Sequence, residues 1–235
     1  MHGTRARALA AAFPLTIPIM TGFLFLGMAY GIYMNVSGFS FWYPLVMSLV
    51  IFGGSLEFVA VSMLLAPFAP MQTLLMVLMI QARHLFYGIA MLDKFKGLGW
   101  KRPYLIFGLC DETFSINCTA QPPEGVDRGW FMFFVTALDQ LYWVTGATLG
   151  GLVGSVLPFN TQGLEFVMTA MFVVIFLEQW KKETSHATAC IGLGSAAVCR
   201  LLFGPDNFMI PTMIAILALL TLFRTPLERK EGQPS

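Results

Sequence analysis

The stretch Val50-Ile-Phe-Gly-Gly-Ser-Leu-Glu-Phe-Val-Ala-Val61 decides how this chain is to be read. An apolar run enters it and an apolar run leaves it. Between them, Phe52-Gly-Gly-Ser55 breaks any continuous helix, and a glutamate, Glu57, follows at once. Glycines break helices through backbone entropy, and the first N–H groups of a restarted helix have no partner within it. A carboxylate in that first turn is favoured by the helix dipole. The stretch therefore predicts two half-helices meeting at a polar tip inside an otherwise apolar segment, 41–66.

Outside this stretch the chain is mostly apolar. Of 235 residues, 57% are hydrophobic and 11% charged, less than half the share of about 25% that a wetted domain carries. A soluble domain, a nucleic-acid-binding face and a disordered tail are excluded on these grounds. Apolar runs near the ~20 residues needed to cross a bilayer recur along the chain. They lie at about 12–34, 41–66, 70–92, 103–121, 129–148, 149–175, 186–203 and 207–223, separated by Gly, Pro and charge. Arg5 and Arg7 before the first run resemble a signal peptide, but that run is too long for a cleaved one. Cys110, Cys118, Cys190 and Cys199 have neither disulfide nor zinc spacing. No metal site and no cofactor are expected.

Lys and Arg remain cytoplasmic in short loops. Eight simple crossings, with the N-terminus inside, place the basic 93–102 loop outside. If 41–66 is instead a re-entrant hairpin from outside and 149–175 one from inside, turning near Asn160-Thr-Gln-Gly163, eleven basic residues fall inside and two, Arg128 and Arg200, outside. The expected fold is an all-α polytopic membrane protein with six crossings, two re-entrant hairpins and both termini cytoplasmic.

Leu56-Glu57-Phe58-Val59 recurs as Leu164-Glu165-Phe166-Val167, an offset of 108 residues, with Phe23 against Phe131 and Ala29 against Ala137 in the same register. This suggests one transporter domain, 1–235, built as an inverted repeat, about 12–121 and 129–223, each half having three transmembrane helices and one hairpin. Broken helices in inverted repeats are a recurring plan of secondary transporters.

Six charges sit well inside apolar segments: Glu57, Arg83, Asp111, Glu112, Asp139 and Glu165. Each costs about 2.5–3.5 kcal/mol at mid-bilayer even on a lenient scale. Five acids against one Arg cannot all be paired. Gly53, Gly54, Ser55 and Glu57, with Gln162, Gly163 and Glu165, are the candidate substrate-binding residues, because half-helix N-termini hold carboxylates. A simpler reading is that each Glu caps its own half-helix. Arg83, His84, Asp111, Glu112 and Asp139 are candidates for coupling or gating. An Arg83 ion pair with Asp111 or Glu112 is equally consistent with a purely structural role.

Gly27-Met-Ala-Tyr-Gly31, the 50–61 stretch, Gln81-Ala-Arg-His-Leu-Phe-Tyr-Gly88, Asp111-Glu112-Thr113 and Gly163-Leu-Glu-Phe-Val-Met-Thr-Ala170 together resemble the AzlC-like family, the large subunit of branched-chain amino-acid exporters. The resemblance covers about 12–223. It implies a permease of the bacterial inner membrane, with a small hydrophobic partner subunit of the AzlD-like type. It also implies proton-driven efflux of leucine, isoleucine and valine. Many relatives have Gln at the position of Glu57, Asp at that of Glu165 and Asn at that of Gln81. Transport of another small solute such as methionine, a channel, a non-transporting scaffold and an intramembrane enzyme are the alternatives. The enzyme lacks any HExxH-type ligand spacing.

Overall fold

The computed structural model describes residues 2–156, 173, 176–177, 180–181 and 186–222, and among them every regular element is a helix. The chain forms two compact units, divided at Val167 and Met168.

In the first unit α1 (His2–Val36) and α8 (Arg128–Val156) are the long elements. They lie side by side and run in the same direction. Arg5 stacks over the Trp130 ring at 4.4 Å, Thr16 hydrogen-bonds Tyr142 at 3.2 Å, and Phe23 meets Trp143 edge-on at 5.6 Å. Further along, Gly27 faces Ala147, Gly31 faces Gly151, and Asn35 faces Gly154. A methyl group on Gly31 would lie 2.5 Å from the Gly151 nitrogen, so the two backbones touch. Small residues that let helices approach this closely are the usual adhesive between helices in lipid, where no hydrophobic force drives association.

The short helices fill the space beside this pair. α2 (Trp42–Val50) starts where Phe41 and Pro44 pack on Gly151 and ends where the Gln140 amide donates to the Leu49 carbonyl at 3.2 Å. It thus runs from the far end of α8 to its middle. α3 (Gly54–Leu65) begins against Trp143 and turns back, placing Phe58 5.4 Å from Tyr30 and 6.2 Å from Tyr33. Segment 41–66 is therefore a hairpin that returns to the end it entered from.

α4 (Pro70–Ile80) and α5 (Ala82–Met91) are bent by 48° at a break and carry the chain to the end where α1 begins. There Ala12, Met91, Phe95, Leu105, Leu109, Phe131, Met132 and Val135 form the buried core. α6 (Lys101–Phe107) rises from that end, and α7 (Asp111–Thr119) descends to it again, so that Lys94 donates to the Cys118 carbonyl.

This arrangement corrects four sequence expectations. Segment 103–121 is a hairpin and not a crossing, because the chain folds back at Gly108–Cys110. The helix restarts where the Cys110 N–H donates to Thr113 Oγ1 (2.8 Å), which itself donates to the Gly108 carbonyl (2.7 Å). A single glycine in an apolar run conceals that turn. Arg128 consequently lies at the same end as the 93–102 loop, not opposite it; Lys101 pairs with Asp127 at 3.4 Å and sits over Trp130 at 4.2 Å. Residues 129–148 and 149–156, expected as parts of two segments, form one helix, and the glycines near the expected junction are the α1 contact surface. Finally, the helices paired by the 108-residue offset run parallel, so that offset does not relate them by inversion. Its second member, 164–167, and the 158–163 turn lie outside the described residues.

By length and composition Gly3–Val36 and Ala187–Gly204 suffice to cross a membrane, and Pro70–Leu78 with Ala82–Met91 would make a third as one broken span. α8 is diluted by glycines and polar residues on its buried stripe, yet it accompanies α1 from the level of Arg5 to that of Asn35. Of the basic residues between 2 and 156, Arg5, Arg7, Lys94, Lys96, Lys101, Arg102 and Arg128 belong to the end where α1 begins, Arg83 lies at mid-depth, and the connections 37–41 and 66–69 at the opposite end contain none.

Single cysteines test this course directly. In a chain freed of its native thiols, Lys94→Cys and Gly125→Cys are expected to react with a membrane-impermeant maleimide from one side, and Phe68→Cys, 93% exposed, from the other. Reaction of Lys94→Cys and Gly125→Cys from opposite sides would restore 103–121 as a crossing.

In the second unit α9 (Ala187–Asn207) and α10 (Met209–Leu222) pack together, with a kink at Gly204, whose φ is +76°. The His186 ring stacks on Trp180 at 4.0 Å.

Candidate functional site

Three helix breaks meet at mid-depth in the first unit. The first, Ile51–Gly53, holds Phe52 at φ +44°, a region that costs a non-glycine residue about 1–3 kcal/mol and persists only where the surroundings impose it. Here the ring is buried. The second is Gln81 and the third Gly108–Cys110. Each restart leaves backbone N–H groups without helical partners, and each places charge in the next turn: Glu57 in α3, Arg83 in α5, Asp111 and Glu112 in α7.

Arg83 joins the three breaks. One guanidinium nitrogen lies 2.7 Å from Asp111 Oδ2, and another donates to Ser55 Oγ at 3.2 Å. Gly53 lies directly against the side-chain amide of Gln81. The Tyr87 hydroxyl donates to Asp111 Oδ1 at 2.7 Å, while its ring stacks on Phe114 at 4.4 Å. An arginine at the start of a helix opposes the dipole; the Asp111 carboxylate offsets that cost. His84 packs edge-on to Tyr87 at 5.6 Å, and its Nδ1 has no hydrogen-bond partner among the described residues.

Glu57 is fully buried. Its Oε1 accepts from Trp143 Nε1 at 3.0 Å and from the Gly53 N–H at 3.1 Å. Its Oε2 has no partner among the described residues. The carboxylate thus stabilises the break behind it while retaining one oxygen for another group. Removing the indole donor is expected to cost about 1–3 kcal/mol, the range for an orphaned buried acceptor. Trp143→Phe should lower the melting midpoint in detergent on the native background and much less on a Glu57→Gln background, a double-mutant cycle. Equal losses on both would mean that Trp143 acts by packing alone.

Asp139 stands on the buried stripe of α8, fully buried, with neither oxygen hydrogen-bonded among the described residues. One residue on, Gln140 accepts from the Tyr104 hydroxyl at 2.6 Å while its amide satisfies the last turn of α2. Glu112 is half-buried beside Asp111. No group of three His, Cys, Asp or Glu suited to a metal occurs among the described residues.

Of the residues singled out from sequence, Gly53, Ser55, Arg83 and Asp111 come together. Gly54 and Glu57 adjoin them through Trp143, while His84 and Glu112 flank them. Gln162, Gly163 and Glu165 lie outside the described residues. Trp143, Tyr87 and Gln140 were not picked out for a role. The available signal was the hydrogen-bonding tip that a buried Trp or Tyr must satisfy.

The chain matches the family model described as AzlC protein over residues 18–157. It is 60% identical to the branched-chain amino acid transport protein AzlC of Bacillus subtilis over 95% of this chain and 88% of that protein.

The chain belongs to the AzlC family.

An uncharacterized membrane protein of Haemophilus influenzae is 52% identical over 95% of this chain and 92% of its own length. The inner membrane protein YgaZ of Escherichia coli is 29% identical over 86% and 82%. No solved structure matches the chain. The family match ends at residue 157, so it covers the helix breaks, the Arg83 cluster and the α1–α8 seam of this AzlC-family member.

Proposed function

We propose that this chain is the large subunit of a secondary transporter that exports branched-chain amino acids. The observation that carries the proposal is the meeting of three half-helix starts around Arg83, Asp111 and Glu57 at mid-depth. Secondary transporters build substrate sites from half-helix N-termini facing a substrate carboxylate. Such a site suits an amino acid: backbone N–H groups at Gly54 and Ser55 and at Asp111 take the carboxylate, Glu57 Oε2 takes the ammonium group, and apolar walls take the aliphatic side chain. The 60% identical Bacillus subtilis protein, named for branched-chain amino-acid transport, supports that substrate class.

The one-sided distribution of Lys and Arg supports a cytoplasmic location for the end where α1 begins. The membrane is the bacterial inner membrane, the driving force the proton gradient, and the second component a small AzlD-like hydrophobic subunit. Gln162, Gly163 and Glu165 are proposed as the complementary half of the substrate site. The protein is not an enzyme on this reading.

Export of labelled valine from loaded membrane vesicles containing both subunits tests it. Glu57→Gln and Glu165→Gln should each slow export markedly, the former by about 10-fold or more, the equivalent of one lost charge-assisted hydrogen bond of about 1.5–3 kcal/mol. Unchanged export rates in both variants would remove the two glutamates from the site. Absence of valine export from wild-type vesicles would remove the substrate class.

A further inference from the structure

Within the proposed transporter, we infer that Asp139 is the group that carries the coupling proton, distinct from the Arg83 cluster and from Glu57. The inference rests on the proposed function for the word coupling, but the proton site itself stands on the geometry of α8. Asp139 is 0% exposed and both of its oxygens lack partners among the described residues, whereas Asp111 at similar depth has Arg83 and Tyr87. A buried carboxylate with neither cation nor donor is a costly state, and uptake of a proton removes the charge. Retaining such an acid on the buried stripe of α8 would be wasteful unless its charge state is used.

The surroundings define what acts on it. From the third helix break, Glu112 is the charged group whose field acts on Asp139, and the neutral Cys110 thiol lies within the field of Asp139 itself. α1 contributes no charged side chain between Phe13 and Met34, only Tyr30 and Tyr33, and α2 contributes only Tyr43. From α3, Glu57 is held on Trp143, one turn along α8. Tyr104 of α6 is committed to Gln140, and the bases Lys101 and Arg102 stand at the far start of that helix.

Among the described residues Asp139 is thus an acid among acids and neutral groups, one turn along α8 from the Trp143 that holds Glu57. In an export cycle the carboxylate takes one proton from the outer water, becoming the neutral acid. It returns that proton to the cytoplasmic side, regenerating the carboxylate, while one substrate molecule moves outward. A carboxyl that lost its proton within the closed unit would meet the repulsion of Glu112, which opposes release until water reaches it.

The test separates proton binding from transport. In the purified two-subunit complex, infrared difference spectra between acid and alkaline buffer, in H2O and D2O, should show the carbonyl band of a protonated buried carboxyl. That band should vanish in Asp139→Asn, persist in Glu57→Gln, and return at a shifted frequency in Asp139→Glu. In vesicles, Asp139→Asn should keep valine exchange between equal pools but lose valine movement driven by a pH gradient, by about 100-fold, the scale of a missing proton-transfer group. A band unchanged by Asp139→Asn would overturn the assignment, whatever the substrate proves to be. So would gradient-driven valine movement at the wild-type rate in that variant. Where Asp139→Asn fails to accumulate, the Asp139→Glu frequency shift decides: a band that does not move overturns the assignment. Loss of the band in a complex that moves no valine would leave the proton site in place and overturn only the substrate class.

Discussion

Replacing Gly31 by leucine is expected to remove most of the folded protein from the membrane. The site for a side chain is already occupied: a Cβ there would lie 2.5 Å from the Gly151 nitrogen and 2.8 Å from the Gly150 carbonyl carbon. These are backbone atoms of α8, which cannot rotate aside as a flexible side chain would. Overpacking a close-packed interface costs about 1–3 kcal/mol and more where backbone must move, and each kcal/mol is worth about 2–4 °C in a chain of this size. A fall of roughly 10 °C in detergent, or failure to accumulate, follows from about 3 kcal/mol. Gly22→Leu on the same helix meets nothing within 4 Å and should melt with the wild type. Similar behaviour of the two variants would mean that the α1–α8 seam does not hold the unit together.

Loss of the proposed transport activity is the second large effect expected, and it centres on Arg83. Arg83→Gln leaves Asp111 with the Tyr87 hydroxyl and no cation, and releases Ser55. Breaking a fully buried pair costs about 3–5 kcal/mol. The Arg83 side chain is 38% exposed, and exposed pairs are worth far less, so about 2 kcal/mol of stability is the fair expectation. Asp111→Asn should cost as much, and the double variant less than the sum, because no unpaired charge remains. Valine export should fall by about 100-fold or more in Arg83→Gln and stay low in the double variant, in line with about 3 kcal/mol of lost interaction. The comparison separates a brace from a working part. If export recovers together with stability in the double variant, the ion pair only holds the breaks together.

The Phe52-Gly-Gly-Ser55 break was legible because two glycines interrupt an apolar run and a glutamate follows; the hairpin it forms returns to its own end as expected. Gly108-Leu-Cys110 was not legible. One glycine is common in a membrane helix, and the bonds of Thr113 that restart the helix are visible only once it has formed. The same ambiguity runs the other way in α8. Gly150-Gly151 has the composition of a break, yet the helix passes through it, since its glycines face Met28 and Gly31 and not a turn. Glycine signals backbone freedom or close approach, and composition does not say which. The candidate acids were legible because a charge in an apolar run is costly wherever it faces. Their partners were not. Trp143 lies 86 residues from Glu57 and Tyr87 lies 24 from Asp111, and no local pattern encodes those pairings.

The sequence by itself determined the class of solvent, the helical architecture and the short set of charges that must do something. All three follow from local composition and length, which set the cost of burying backbone and charge in hydrocarbon. Tertiary structure decided direction and partnership: that α1 and α8 run parallel, that 103–121 turns back and places seven basic residues at one end, that Arg83 bridges three breaks, and that Asp139 has no partner among the described residues. Those outcomes depend on which backbones come close enough to touch. That is a property of packing between distant segments, and no single segment contains it.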